Sequence, residues 1–338
     1  ELRDIHAPGY VGAIEAGVQT VMASFSSWNG AKMHGNPYLL TDVLRGQMNF
    51  DGFVIGDWNG HGQVPGCTNA SCAASFNAGL DMFMVIDEWK DLYHSTLEQV
   101  REGEITQERL DEAVRRVLRV KILAGVFEKG RPSERARGLA GVIGNAQHRA
   151  VARQAVRESL VLLKNSGDVL PLQPGQKVLV AGDGAENMGK QTGGWTISWQ
   201  GTGNEKSDFP KGSSILDGLN DAVSGIGGSV EYSEEGDYSS KPDVAVVVFG
   251  ENPYAEYQGD RPTLDFEPGN KQSLELLKKL SSDGIPVVSV FITGRPLWTS
   301  PDINASDAFV IDWLPGSEGG VVADVLVGDS VVNHRHDF

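Results

Sequence analysis

Positive charge is scarce in this sequence. Lys and Arg total 29 of 338 residues against 45 Asp and Glu, a formal net charge of −16. Ligands that are themselves polyanions are thereby disfavoured: nucleic acid and anionic membrane surfaces both require basic patches. No apolar run approaches the ~18 residues of a membrane-spanning helix. Cysteine is rarer still, with only Cys67 and Cys72. That leaves no second pair for a four-thiolate zinc site. The two can instead close a small disulfide loop, which would place the protein in an oxidising compartment, secreted or periplasmic; a pair of free thiols in a loop is the alternative. His6, His34, His61, His94 and His148 are scattered without ligand spacing, and His334 and His336 sit near the end of the chain. No metal and no organic cofactor is therefore expected. The chain opens on Glu1-Leu2-Arg3 without Met, which reads as the interior of a longer polypeptide.

What is present is strand–helix alternation. Thr20–Phe25, Phe53–Gly56 and Leu80–Val85 are apolar runs of strand length, separated by helical stretches over 37–47 and 72–78. This pattern predicts a parallel sheet with helical crossovers. Residues 91–125 read as helical, with Leu110, Ala113, Val114, Val117, Leu118 and Ile122 on one face, Thr106 as an N-cap and Gly125 as a stop. Residues 129–144 combine Gly, Pro and alternating charge and read as a linker between domains 1–128 and 145–338. A helix is expected over 145–164. Strands follow at 177–182, 244–249, 286–292 and 308–312, with helices at 214–223, 270–282 and 318–327, giving a second α/β domain.

Three strand-end stretches carry candidate chemistry. In α/β folds the residues just past a strand's carboxyl end face the ligand crevice. The run Phe53–Gly56 ends in Asp57 and Trp58, a carboxylate that can attack or stabilise an anomeric carbon beside a ring that can stack on a sugar; a helix-capping role for Asp57 is the plain alternative. Gly193 to Gly201 holds Trp195 and Trp199 between glycines, which suits a flat or sugar ligand, or packing between domains. Gly250 to Asp260 places Glu251, Glu256 and Asp260 after a strand. A second carboxyl group is what glycoside hydrolysis needs. A fourth stretch, Gly184 to Gln191, nearly matches a P-loop, but Gln191 stands where a Ser or Thr should bind magnesium.

Taken together, these stretches resemble family 3 of the glycoside hydrolases, in its exo-β-glucan glucohydrolase and β-glucosidase branch. The resemblance rests on residues 21–30, 52–60, 78–82, 159–165, 193–201, 250–260 and Trp313 to Gly320, which occur in family order. It implies a (β/α)8-type barrel, of which this chain holds the C-terminal part, followed by a six-stranded α/β sandwich domain. The other barrel half is expected in the full-length protein. By residue match, Asp57 takes the place of the nucleophile and Glu256 that of the acid/base, with Glu251 its competitor. Trp58 and Trp199 match the tryptophans that clamp the sugar, and Met22 and Phe25 fall on a pocket-lining strand. Phe25 replaces a frequent Tyr. The implied substrate is a β-glucan or β-glucoside, cleaved by retaining double displacement with carboxyl groups ~5–5.5 Å apart. Burial should keep Glu256 protonated at rest while Asp57 stays ionised. A β-xylosidase or β-N-acetylglucosaminidase of the same family, or a noncatalytic carbohydrate-binding protein, are the alternatives.

Overall fold

The computed structural model describes residues 1–135 and 141–329. Part of the expected linker, the end of the expected second domain, and His334 and His336 lie outside the described residues. The chain divides into two compact units, Glu1–Arg137 and Gly138–Phe338.

The first unit is built around two short parallel strands, β1 (Thr20–Met22) and β4 (Phe53–Ile55), paired Thr20 to Phe53, Val21 to Val54 and Met22 to Ile55. Between them lie a small antiparallel pair, β2 (Ser27–Trp28) and β3 (Ala31–Lys32), and the helix Tyr38–Gln47. The stretch Ser26 to Gly30 runs from β2 into its connection with β3. It is the tip of a hairpin, because Asn29 and Gly30 both adopt positive φ, as a tight two-residue connection requires. Ala23, Leu40, Leu44, Phe50, Val54 and Leu80 form its core.

Two expectations for this unit need correction. The run Leu80–Val85 is not a ladder strand; a single parallel bridge, Ile55 to Met82, and the Asp81 and Met82 N–H groups sharing the Val54 carbonyl tie it to β4. The cause is Asp81, whose buried carboxylate accepts hydrogen bonds from Arg45 Nη2, Arg109 Nη2 and the Val54 backbone N–H. A side chain with these demands bends the segment out of ladder geometry. Residues 91–125 are also not one helix but two, Trp89–Arg101 and Gln107–Leu123. The second starts where Thr106 Oγ1 accepts the Arg109 N–H, so the cap marks a break rather than a continuation.

The second unit holds a six-stranded mixed sheet flanked by helices. Its strands are β5 (Val161–Asn165), β6 (Lys177–Ala181), β7 (Ser229–Tyr232), β8 (Val244–Gly250), β9 (Val287–Ile292) and β10 (Ala308–Ile311). The spatial order is β5-β10-β9-β8-β6-β7, with β5 antiparallel and the rest parallel. The central strand β8 is buried at every position. Its side chains alternate between two apolar layers: Val244, Val246 and Val248 join Ile215, Leu219 and Val322 on one face, while Ala245, Val247 and Phe249 join Leu277, Phe291 and Phe309 on the other. Each buried valine is worth roughly 1.5–3 kcal/mol, so a charge at Val246 would break the sheet at its centre. Both outer strands escaped the sequence reading. The expected helix over 145–164 ends at Ser159, and Val161–Asn165 pairs with β10 instead; a short apolar run reads equally as helix or strand. Ser229–Tyr232 is an edge strand too short and too polar to announce itself.

Candidate active site

The first strand end is fixed from beneath. The Asp57 backbone N–H donates to His34 Nε2 at 2.8 Å, and Trp58 N–H donates to Asp57 Oδ1 at 2.7 Å. His34 is 1% exposed. Burial pushes its pKa down, overriding the opposing pull of Asp57. A neutral ring accepting at Nε2 carries its proton on Nδ1. Gly60 makes the fit: a Cβ there would lie 2.3 Å from His34 Cε1. Phe25 approaches the same imidazole, with ring centroids 6.2 Å apart. Met22 pairs in register with Ile55, two residues before Asp57, and is exposed, as is Trp58. Sequence reasoning missed His34, because a lone histidine ahead of a helix has no spacing signal. Close by, Cys67 and Cys72 form a disulfide.

The second strand end is held from the side. After β8 the chain forms a loop whose two glutamates have opposite fates. Glu251, whose side chain is 7% exposed, accepts from Arg261 Nη1 at 3.1 Å, Arg295 Nη2 at 2.9 Å and Thr293 Oγ1 at 2.8 Å. Arg295 also stacks on the Tyr254 ring, 4.0 Å from its centroid. Both carboxylate oxygens of Glu251 are used in fastening the loop.

Glu256 is exposed and turned to the Gly193–Gly201 loop. Its Oε2 accepts from Trp199 Nε1 at 2.8 Å and from Trp195 Nε1 at 2.9 Å. Gln200 spans the same gap, accepting the Ala255 N–H at 2.7 Å and donating to the Glu256 carbonyl at 3.0 Å. The two backbones touch: a Cβ on Gly194 would fall 2.0 Å from the Tyr254 carbonyl oxygen. Trp195 and Ile197 adopt positive φ to make the turn, as does Tyr257 opposite, whose ring meets Trp199 edge-on at 5.9 Å. Within its own unit Glu256 is exposed rather than buried. The Trp199 indole first, then its own backbone N–H and the Trp195 indole, lower its pKa, because each donor favours the carboxylate. The sequence singled out both tryptophans but carried only Trp199 forward; Gln200 gave no signal.

The P-loop look-alike has another use. Lys190 is buried, with Nζ 2.9 Å from Asp183 and 2.8 Å from the Gly250 carbonyl oxygen. Gln191 Nε2 donates to the carbonyls of Ser213 and Gly316. Both side chains brace loops, so Lys190 is not available to a phosphate. Among the described residues no group of three or more His, Cys, Asp or Glu side chains could hold a metal ion, and no helix is long and apolar enough to cross a membrane.

Comparison with known families decides what these strand ends belong to. Residues 1–120 match the glycosyl hydrolase family 3 N-terminal domain, and residues 160–333 match the family 3 C-terminal domain. The chain belongs to glycosyl hydrolase family 3. It is 34% identical to a lysosomal beta glucosidase of Dictyostelium discoideum, over 97% of this chain and 42% of that protein. It is 29% identical to a periplasmic beta-glucosidase of Salmonella typhimurium, over 96% of this chain and 46% of that one. Among solved structures, an exo-1,3/1,4-beta-glucanase from a Pseudoalteromonas species superposes with a TM-score of 0.92 at 53% identity, covering 96% of this chain and 40% of that one. The chain thus spans less than half the length of these family 3 relatives.

Proposed function

We propose that this family 3 chain carries both catalytic carboxyl groups of a retaining, exo-acting β-glucosidase or exo-β-1,3(1,4)-glucanase. Asp57 is the nucleophile and Glu256 the acid/base. The observation that carries the reading is the division of labour between Glu251 and Glu256. One is locked between two guanidinium groups, while the other stands exposed on paired indoles that hold only its Oε2. Asp57 Oδ1 takes the Trp58 N–H, which leaves Oδ2 to attack the anomeric carbon. As that bond forms, the glycosidic C–O bond breaks and the protonated form of Glu256 gives its proton to the leaving oxygen. Glu256 then deprotonates a water that attacks the same carbon, and the glucosyl–Asp57 ester bond breaks to release glucose. Two inversions retain configuration and call for carboxyl groups ~5–5.5 Å apart.

Trp58 and Trp199 are the stacking faces for the sugar, and Met22 and Phe25 line the pocket. No metal or cofactor enters either step. Residues 1–128 are the C-terminal part of a (β/α)8-type barrel. Support comes from the parallel β1–β4 pair and from the exposed apolar face Val114, Leu118 and Ile122 on the helix Gln107–Leu123, the kind of face a barrel helix buries against a neighbour. Residues 145–338 form the sandwich domain. The Cys67–Cys72 disulfide supports a secreted or periplasmic location.

Trapping tests the nucleophile. A 2-fluoroglucoside with a good leaving group, applied to the complete protein, should label the peptide containing Asp57. Asp57→Asn should abolish labelling and lower kcat by at least about a thousandfold. Labelling of another acid would end the assignment.

A further inference from the structure

We infer that Trp195 is a positioning residue for Glu256: with Trp199 it forms a two-indole clamp on Oε2 that presents Oε1, alone, to the glycosidic oxygen. The inference rests on the proposed acid/base role of Glu256 and adds a residue that the role itself does not name.

The geometry is specific. Both indole N–H groups converge on one oxygen, Oε2, at 2.8 and 2.9 Å. Two donors on one carboxylate oxygen fix the plane of the group as well as its position. An oxygen already facing two donors disfavours a proton of its own, so protonation is directed to Oε1. Acid and base steps then use the same atom in the same place, as microscopic reversibility requires of a retaining enzyme. The rings themselves are splayed, with centroids 6.2 Å apart and planes at 47°, an arrangement set by the shared acceptor rather than by stacking. Trp195 is 69% exposed, so core packing does not explain its place. It also reaches that place in the left-handed region, at φ 59°, a cost of order 1–3 kcal/mol for a residue with a side chain.

The charges around the carboxylate are accounted for. The Gly193–Gly201 loop carries none. On its own loop, Glu251 and Arg261 are paired with each other, Glu251 also holds Arg295, and Asp260 is exposed. Lys190, which reaches the Gly250 carbonyl at the base of that loop, is held by Asp183. Within its own unit the two indoles are therefore the groups that act on this carboxylate, with the proposed Asp57 partner as the one further charge, and their removal should favour its protonated form.

The test uses the complete protein and Trp195→Phe, which keeps an exposed ring and deletes the N–H. Two substrates separate acid catalysis from binding: phenyl β-glucoside, whose leaving group needs a proton, and 2,4-dinitrophenyl β-glucoside, whose leaving group does not. Trp195→Phe should lower kcat/KM about tenfold on the phenyl glucoside, a fraction of the full general-acid effect, and less than about twofold on the dinitrophenyl glucoside. The basic limb of the phenyl glucoside kcat/KM profile should move to higher pH. Equal losses on both substrates with an unmoved profile would make Trp195 a sugar-stacking residue and overturn the inference. Glu256→Ala is run alongside. If it too loses equally on both substrates, and azide fails to rescue the dinitrophenyl reaction, the acid/base assignment itself falls, and the inference with it.

Discussion

The two strand ends that carry Asp57 and Glu256 are held by opposite means. Behind Asp57 the support is buried and passes through the backbone: His34 grips a main-chain N–H, and Gly60 leaves the imidazole room. Behind Glu256 the support is exposed and passes through side chains: two indoles and one amide reach across from a neighbouring loop. Buried support is part of the fold, and its loss is felt as stability. Exposed support can be removed from an intact fold, and its loss is felt in the chemistry. Glu251, five residues before Glu256, belongs to the first kind although it sits in the second loop.

That contrast can be broken most sharply at Glu251. Glu251→Ala leaves Arg261 and Arg295 facing each other without their carboxylate. It should destabilise the second unit by about 3 kcal/mol, read as a lower urea midpoint. Glu256→Ala should leave that midpoint within ~0.5 kcal/mol. Equal effects would erase the distinction between the two glutamates.

A smaller effect is expected at His34. His34→Ala removes a buried ring and its acceptor, and should cost about 2 kcal/mol through cavity and lost hydrogen bond together. An unchanged midpoint would show that Asp57 needs no support from below.

The smallest effect sharpens the rule that buried groups are read in stability. Asp312, at the end of β10, is 1% exposed, and burial pushes its pKa well above the ordinary carboxylate value. A raised folded-state pKa means the folded protein prefers the protonated form. The associated stability is complete below the unfolded carboxylate range and is lost as pH rises through the folded value. Asp312→Asn should therefore raise the melting temperature by about 2–4 °C at pH 7 and by less at pH 4. A larger gain at pH 4 would contradict the sign.

Legibility from sequence followed burial and periodicity. Strands β6, β8, β9 and β10 announced themselves because valine runs buried on both faces look like little else. Strands β5 and β7 did not, being an edge run that mimics helix and an edge run that is half polar. Leu80–Val85 misled because Asp81 interrupts an apolar run with a demand for two arginines from distant helices. At the site, carboxylates and indoles after strands were visible as types. What each one touches was not, because the His34 contact and the Glu251 network join residues more than twenty and more than forty apart along the chain. Nor was the downward pull on the Glu256 pKa, exerted by Trp199 and Trp195 some sixty residues earlier.

Trp195, Ile197 and Tyr257 all stand in the left-handed region. An engineer seeking heat resistance would replace each with glycine or asparagine and relieve the backbone. The same exchanges would strip the loop pair of a carboxylate donor and of the Tyr257 ring that meets Trp199 edge-on. These three positions mark where thermostability and turnover pull apart, and a library selected for survival alone should drift away from activity there first.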